Sequence, residues 1–420
     1  MPMAGSIVSI IPYVGFVLLM LIFFGLLHNK PVRVFYFLTF YFAFDSSTLF
    51  DINVLITLNE VNIFVEDVFT LFLAFEMLLS LADLNLSQKI FSSKYRTLGK
   101  TFLIMSIIGL TTWGYSVGIQ TAVVNWRENL LCSLLILYCF SFNSWFTYEV
   151  FSSTLYRGSV FLSILILIRV VLHGPGNFSE ISAINGITDR ATNASGALFL
   201  LFALWNFLIQ TNVYNVRNFT YVMVISTEIL ILQHRSVWLS SLIGLSYLVL
   251  RLKKFRLRLR FLTLMFFIIP LLSFVVIRTP NLSAAALDSG TLSWRLLRWQ
   301  SSFGQSRSEI QTLFGGITGY IESITVVGLK VAAHNMYISL FEKVGIVGAI
   351  IFLLMLIPNR ENSKNDEKLV NLDLVSSITL ITFGLFYSFP YVAILILFSI
   401  RRIRSEIQWR NQHASSQKYY

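Results

Sequence analysis

The sequence predicts an all-α integral membrane protein with about twelve transmembrane helices and one long polar loop. Of its 420 residues, 55% are hydrophobic and only 13% are charged, whereas a soluble domain carries about 25% charged residues. Apolar segments of about 20 residues, the length that crosses a bilayer as a helix, recur along the chain. No strand pattern of about ten alternating residues appears. Helices are therefore expected rather than a barrel, since a backbone in lipid must satisfy its own hydrogen bonds.

The candidate spans make residues 1–420 a single polytopic domain without a soluble part. We expect the first apolar stretch to be a membrane helix rather than a cleavable signal, because no basic residue precedes it and its apolar core is too long. Pro390 interrupts the last hydrophobic run. The spans are, roughly, 7–27, 32–50, 61–82, 101–119, 129–148, 153–172, 195–212, 217–232, 236–250, 260–278, 335–357, 372–388 and 389–400.

Short basic segments orient these spans. The stretch RLKKFRLRLR at 251–260 has six positive residues and no acid, so the positive-inside rule places it in the cytoplasm. Alternating the spans from there puts the basic loops 83–100 and 401–410 on the same side. Anionic lipid head groups and this rule account for the net charge of +11 without a nucleic-acid partner.

Four segments with Arg or His are then predicted on the opposite, outer side. They are the loop before residue 195 with Arg190, the QHR turn with Arg235, the long loop 279–333, and His334. Outer arginines oppose the positive-inside trend, and an anionic ligand is the simplest reason for them. Arginine binds phosphate oxygens with a rigid fork of donors. The alternative for any single arginine is a contact with lipid phosphates.

Two motifs, one within the long loop and one directly after it, suggest chemistry on a sugar. In SWRLLRWQ, the residues Trp294, Arg295, Arg298 and Trp299 share one face if the segment is helical. Their rings suit stacking on sugars and suit an interfacial belt equally well. His334 has a side chain that titrates near neutral pH and can act as a general base on a hydroxyl. The alternative is a histidine that only caps or anchors its helix.

The residues around His334 supply candidate supports, and no metal or cofactor is expected. Asn335 follows the histidine directly, and Glu342 is a candidate to orient it. The outer segments contain no Asp-x-Asp or His-x-x-x-His pair. Cys132 and Cys139 share a helix face in an apolar run, where two thiols make a poor metal site and a disulfide is implausible.

Carboxylates within or near the spans are a further functional flag, because a charge in lipid is costly. Glu66, Glu149 and Glu228 can be placed near span ends, whereas Glu76 cannot. The flagged residues are Glu66, Asp67, Glu76, Glu149 and Glu228.

Three segments resemble the bacterial superfamily of O-antigen ligases and O-antigen polymerases. HNMYISLFEKVGIVGAI at 334–350 is similar to its signature of His-Asn, an aromatic residue and Glu-x-Gly-x-x-Gly. QHRSVWLSSLIGL at 233–245 resembles its arginine at the start of a helix, and DRATNASGAL at 189–198 resembles its outer arginine segment more weakly. The resemblance covers roughly residues 185–357, and the layout of about twelve spans with a long outer loop also fits.

The resemblance implies a metal-independent, inverting glycosyltransferase of the inner membrane with a periplasmic active site. Its donor would be an oligosaccharide on undecaprenyl diphosphate. His334 would activate the acceptor hydroxyl, and Arg190 and Arg235 would hold the diphosphate. Arg295 and Arg298 are further candidates for the diphosphate.

The acceptor stays open at this stage. A polymerase passes the glycan to another lipid-linked repeat unit, and a ligase passes it to lipid A–core. We favour the polymerase, in surface polysaccharide biosynthesis, with membrane lipid and a chain-length regulator as partners. A flippase-like transporter without chemistry and a structural membrane subunit are the alternatives from other classes.

Overall fold

Most of the chain is described by a computed structural model, and helices make up most of that part. The described residues are 22–47, 49, 54–58, 61–82, 94–141, 145–173, 192–210, 216–232, 234–251, 290–304, 307–318, 325–326, 329–330, 335–358, 367–387 and 389–416.

The first half of the chain forms long helices and one short hairpin. After a helical segment at 22–27, the elements are α1 (Pro31–Ser46), β1 (Val54–Leu58), β2 (Val61–Phe64), α2 (Val65–Ala82), α3 (Lys94–Val117), α4 (Ile119–Cys139), α5 (Tyr148–His173), α6 (Ala194–Gln210), α7 (Val216–Ile231) and α8 (Arg235–Arg251). Strands β1 and β2 pair antiparallel with an irregularity between Val54 and Ile56.

The second half contains helices within the predicted long loop, followed by three long helices. Its elements are α9 (Gly290–Gly304), α10 (Glu309–Phe314), a 3-10 turn (Gly315–Thr318), β3 (Thr325–Val326), β4 (Leu329–Lys330), α11 (Met336–Leu356), α12 (Glu367–Gly384) and α13 (Tyr391–Ser416). Strands β3 and β4 pair antiparallel.

Each predicted span from 32–50 onward overlaps a helix, except 260–278, which lies outside the described residues, as does most of 7–27. Several boundaries differ from the prediction, and two of these differences lie in the first half of the chain. Residues 61–64 are a strand rather than the start of a helix, because they pair with β1. The helix predicted at 129–148 is α4, which begins ten residues earlier at Ile119 and ends at Cys139.

Two described helices have the length and composition to cross a membrane, at Tyr148–Leu172 and Met336–Leu356. Helix α6 is apolar but shorter. Exposed apolar side chains follow the outer faces of several helices. Among them are Leu167 and Val171 on α5, and Ile346 and Ile350 on α11.

The helices run alternately between two ends of the bundle. At one end, which we call the Arg401 end, Arg401 of α13 donates to the carbonyl of Leu356 at the end of α11 (2.6 Å). Lys368, near the start of α12, reaches the carbonyl of Gln210 at the end of α6 (3.5 Å). Helices α6 and α12 are therefore antiparallel, and α11 ends where α12 begins.

The opposite end, which we call the Asn335 end, is defined by two further bonds. The side-chain amide of Asn335, just before α11, donates to the carbonyl of Leu385 just after α12 (2.8 Å). The backbone N–H of Asn193, just before α6, donates to the carbonyl of Ser46 at the end of α1 (2.9 Å). The ends of α1 and α12 and the starts of α6 and α11 thus lie at the Asn335 end. The alternation of spans predicted from the sequence places the same four termini on one side.

A buried ion-pair network closes the Arg401 end. Asp373 of α12 is fully buried, and its carboxylate accepts from Nε of Arg401 (2.9 Å) and from Arg404. Nη2 of Arg401 also donates to the hydroxyl of Ser377 (2.8 Å). Burial and the nearby charge of Arg401 lower the pKa of Lys94. These contacts bind α11, α12 and α13 through charged groups whose separation in a low dielectric is costly.

The segment 401–410 is therefore not the basic loop that the sequence predicted. It continues α13, and the side chains of Arg401, Arg402 and Arg404 are buried. The carboxylate of α12 and the last carbonyls of α11 give Arg401 partners that a hydropathy pattern does not show. The loop predicted before residue 101 likewise becomes helical at Lys94.

We expect Asp373→Ala to destabilise the protein strongly, because it leaves two buried arginines without their carboxylate. Breaking one side of a buried pair costs about 3–5 kcal/mol. Thermal unfolding of the purified protein in detergent would measure the effect. Glu367→Ala is the matched control, because Glu367 is exposed on the same helix. Equal melting temperatures for the two variants would contradict a structural role for this network.

Candidate functional site

The start of α11 is fixed by its capping residue. Oδ1 of Asn335 accepts from the backbone N–H groups of Tyr337 (2.9 Å) and Ile338 (3.0 Å). Its amide nitrogen binds the carbonyl of Leu385, as described above. The cap satisfies N–H groups that a helix start leaves open. His334, which directly precedes Asn335 in the sequence, lies outside the described residues.

A buried ion pair attaches α9 to α11. The guanidinium of Arg298 donates to both carboxylate oxygens of Glu342, at 2.9 and 3.3 Å. The hydroxyl of Ser302, one turn later on α9, donates to the same carboxylate at 2.8 Å. Arg298 and Glu342 are only 3% and 7% exposed. The loop helix is therefore held beside the helix that begins next to His334.

Aromatic contacts surround this pair. The rings of Phe303 and Phe341 lie 5.4 Å apart, and the guanidinium of Arg307 lies 4.6 Å from the centre of the Phe341 ring. Trp299 lies 6.4 Å from Phe386 in the turn after α12. Helix α9 thus contacts α11 and the turn at the Asn335 end through several side chains.

Helix α11 breaks at Gly345, where α10 packs against it. Gly345 has a φ of 68°, in the left-handed region that side chains rarely adopt. A Cβ placed on it would lie 2.3 Å from the carbonyl oxygen of Leu313. Gly315, with a φ of 61°, approaches the same point, and a Cβ there would lie 2.4 Å from the nitrogen of Gly345. The glycines of both segments therefore allow two backbones to touch.

The residues just before α6 and the start of α8 come together at the Asn335 end. Arg235 is the exposed first residue of α8. The ring of the preceding His234 is buried, and its Nε2 lies 3.0 Å from the carbonyl oxygen of Thr192. Arg190 itself lies outside the described residues. The backbone two residues after it nevertheless contacts the turn that holds Arg235.

The structure thus brings some of the predicted site residues into contact, whereas the side chains of others are not described. It brings Arg298 to Glu342 and Trp299 to the turn after α12. Arg298, predicted as a diphosphate ligand, binds a carboxylate of the chain itself in this structure. SWRLLRWQ is helical, as predicted for a shared face, but nothing is described of the side chains of Trp294 and Arg295.

A second set of charged contacts was not assigned to the site by the sequence. Lys343 follows Glu342 and binds Glu128 of α4 at 3.2 Å. Arg127, the residue before Glu128, lies 3.6 Å from Asp67 of α2. The sequence analysis had named Asp67 among the carboxylates within or near the spans. It could not predict these ion pairs, because a single sequence does not indicate which charged residues 60 or more positions apart come into contact.

Other flagged carboxylates have local partners. The carboxylate of Glu76 is buried and lies 2.6 Å from Nδ1 of His28, and Glu228 accepts from the hydroxyl of Ser163 at 2.6 Å. Among the described residues, no group of three or more His, Cys, Asp or Glu side chains is arranged to hold a metal ion.

No protein-family model matches this chain, and comparison with curated proteins gives no significant match. The function therefore has to be argued from the residues and their arrangement.

The ion pair between α9 and α11 predicts a charge-reversal rescue. We expect Glu342→Gln to release α9 from α11. Without the carboxylate, a buried Arg298 is an unpaired charge, and the contact that buries it becomes unfavourable. The double variant Arg298→Glu with Glu342→Arg should restore the contact. Disulfide formation between Phe303→Cys and Phe341→Cys would report it, after the two buried free cysteines have been replaced by alanine. Equal cross-linking with and without Glu342→Gln would contradict this role.

Gly345 is expected to tolerate no side chain. Gly345→Ala would force a positive φ on a residue with a Cβ and a clash with the Leu313 carbonyl, costing more than about 1 kcal/mol. Gly304→Ala is the control, since a Cβ there meets open space. Melting temperatures in detergent would compare them, and an unchanged Gly345→Ala would show that the break is not required.

Proposed function

We propose that this chain is a polytopic glycosyltransferase of the O-antigen polymerase and ligase type. It would transfer a glycan from undecaprenyl diphosphate to an acceptor sugar hydroxyl at the periplasmic face of the bacterial inner membrane. The observation that carries the proposal is the junction at α11. A His-Asn pair begins an apolar helix of membrane-spanning length, and a loop helix is bound beside it through Arg298 and Glu342.

The arrangement of the helix termini supports this orientation. The Arg401 end carries the basic start of α3 and the basic part of α13, as expected for a cytoplasmic side. The Asn335 end carries the start of α8 with Arg235 and the start of α6 shortly after Arg190. The starts of α6 and α8 therefore lie at the end where α11 begins, and this supports a shared role for Arg190 and Arg235.

The proposed reaction follows from these groups. His334 accepts the proton of the acceptor hydroxyl, and the hydroxyl oxygen forms a bond to the anomeric carbon. The bond from that carbon to the diphosphate breaks, and undecaprenyl diphosphate leaves with the electron pair. Arg190 and Arg235, with Arg295 as a further candidate, donate to the diphosphate as its charge grows. Preorganised donors of this kind are worth about 3–4 kcal/mol each.

The pairing of Arg298 gives it a different role in this proposal. With its fork on Glu342, Arg298 positions α9 rather than binding the leaving group directly. Helix α9 then holds Trp299 close to Phe386, in the turn that also anchors Asn335. In that place, the tryptophan is suited to contact a sugar beside His334.

The choice of acceptor separates two forms of the proposal. As a polymerase, the chain extends a lipid-linked polymer, and a chain-length regulator is an expected partner. As a ligase, it transfers the polymer to lipid A–core. We favour the polymerase because the N-terminal half of this chain carries no motif of the superfamily. Such divergence in sequence is typical of the polymerases.

A transporter of lipid-linked glycan is the second candidate, favoured by the break in α11 at Gly345 and by charged side chains between helices. Broken helices and charges within spans mark substrate paths in transporters. A transporter would lose flux when Lys343 or Glu128 is changed and would tolerate loss of His334. A transferase requires His334 and still binds its lipid donor without it.

We expect His334→Ala and Arg235→Ala each to abolish polymer synthesis in cells that depend on this protein for their surface glycan. Arg251→Ala is the control, because Arg251 is an exposed arginine at the other end of α8. Surface glycan would be resolved on a gel after membrane levels are matched. A single repeat unit on lipid A–core indicates a polymerase, and polymer retained on undecaprenyl diphosphate indicates a ligase. An unchanged ladder in both variants would contradict the transferase.

A further inference from the structure

The predicted outer loop contributes a short element, residues 309–318, that packs against the backbone of α11. It consists of α10 and the 3-10 turn that follows, and we call it the α10 element. A Cβ built on Gly345 would lie 2.3 Å from the carbonyl oxygen of Leu313, and one built on Gly315 would lie 2.4 Å from the nitrogen of Gly345. The backbones of the α10 element and of α11 are therefore in direct contact.

This contact lies near the middle of α11. The helix has 21 residues, which corresponds to about 31 Å, and the hydrocarbon core of a bilayer is about 30 Å thick. Gly345 lies nine residues after Met336 and eleven residues before Leu356. Because α11 has the length and composition to cross a membrane, its contact with the α10 element falls close to the middle of the bilayer.

Helix α3 gives the same depth from the other side of the α10 element. The 3-10 turn packs against α3 as well as against α11. The hydroxyl of Tyr95, in the first turn of α3, donates to the carbonyl of Ile357 just after α11, at 3.2 Å. Ten residues further along α3, Met105 would lie 3.5 Å from a Cβ on Gly348. The two helices are therefore antiparallel neighbours, and the turn contacts both of them.

The α10 element exposes apolar side chains at this depth. Ile310 and Leu313 are 57% and 43% exposed. The helices on either side also expose apolar side chains at the same level, and these are Ile346 of α11 and Ile107 and Ile108 of α3. Neighbouring exposed apolar side chains of this kind indicate contact with lipid or with another protein rather than with water.

The break in α11 is compatible with a bilayer because the α10 element covers it. Irregular backbone at membrane depth is tolerated only where protein or a water-filled cavity covers it. Gly345 and Gly315 are both buried. The charge of Glu342, one turn before the break, is likewise paired with Arg298 of the preceding loop helix, as charges within spans generally are. Residues of the predicted loop therefore satisfy α11 at two levels within its span.

We propose that the α10 element is a re-entrant segment, which enters the half of the bilayer nearer the Asn335 end and contacts lipid acyl chains through Ile310 and Leu313. The sequence analysis assigned this segment to the outer loop because a helix of six residues is far too short to be recognised as a span. The inference requires that α11 crosses the membrane. It goes beyond the proposed function and holds equally for a transferase and for a transporter.

Spin labels on the full-length protein in lipid nanodiscs test this placement. The label is attached to Ile310→Cys or Leu313→Cys after the two buried free cysteines have been replaced by alanine. Ile346→Cys is the lipid-facing reference. Glu367→Cys is the reference in water, because this residue is exposed at the start of α12. Power saturation measures the collisions of each label with oxygen, which concentrates in lipid, and with a nickel chelate, which stays in water.

We expect both labels on the α10 element to match the label at Ile346, with frequent oxygen collisions and a near-complete loss of chelate collisions relative to Glu367. Thermal unfolding verifies the fold of each labelled variant. If Leu313→Cys unfolds because its backbone touches Gly345, then Ile310→Cys decides alone, since this side chain is more exposed.

Three results would overturn the proposal. Labels on the α10 element that collide with the chelate as often as the Glu367 label would show that the element lies in water. Labels protected from both reagents would show that a protein surface, such as a second copy of the chain, covers the element instead of lipid. Free chelate collisions at Ile346 would show that α11 does not cross the bilayer at this level. The glycan assay of His334→Ala remains a separate measure of the proposed function.

Discussion

The arrangement of the last three helices depends on one buried carboxylate. Asp373 pairs with Arg401 and Arg404, and Arg401 also binds the last carbonyls of α11. A charge buried at the end of a bundle is stable only when its partners stay in place, so α11, α12 and α13 are held in one relative arrangement. Because α11 is held at this end, its opposite end presents Asn335 at a defined place.

The opposite end depends on α11 in a different way. Glu342 and Lys343 are adjacent, and they bind neighbours on different sides of the helix. Glu342 binds the loop helix α9, whereas Lys343 binds Glu128 of α4. Two residues after Lys343 the helix breaks at Gly345, where α10 packs directly on the backbone. The Glu-Lys-Val-Gly part of the motif therefore acts as a junction that connects a loop, a helix pair and a kink.

The sequence order of the candidate groups fits the proposed enzyme. Arginines such as Arg235, at the start of a helix, suit an anionic leaving group. His334 lies in sequence between the loop that carries Arg295 and Arg298 and helix α11. A base in that position would join a neutral acceptor to a charged donor, as glycosyl transfer from a lipid diphosphate requires.

The sequence by itself predicted the helical class, the approximate helices and the alternation of their ends, because apolar length and basic loops act locally. It also marked Arg298, Glu342 and Asn335 as site residues. Only the tertiary structure paired Arg298 with Glu342, made 401–410 part of helix α13, and paired Lys343 with Glu128. These outcomes depend on contacts between distant segments, and one sequence without its fold carries no record of which charge meets which.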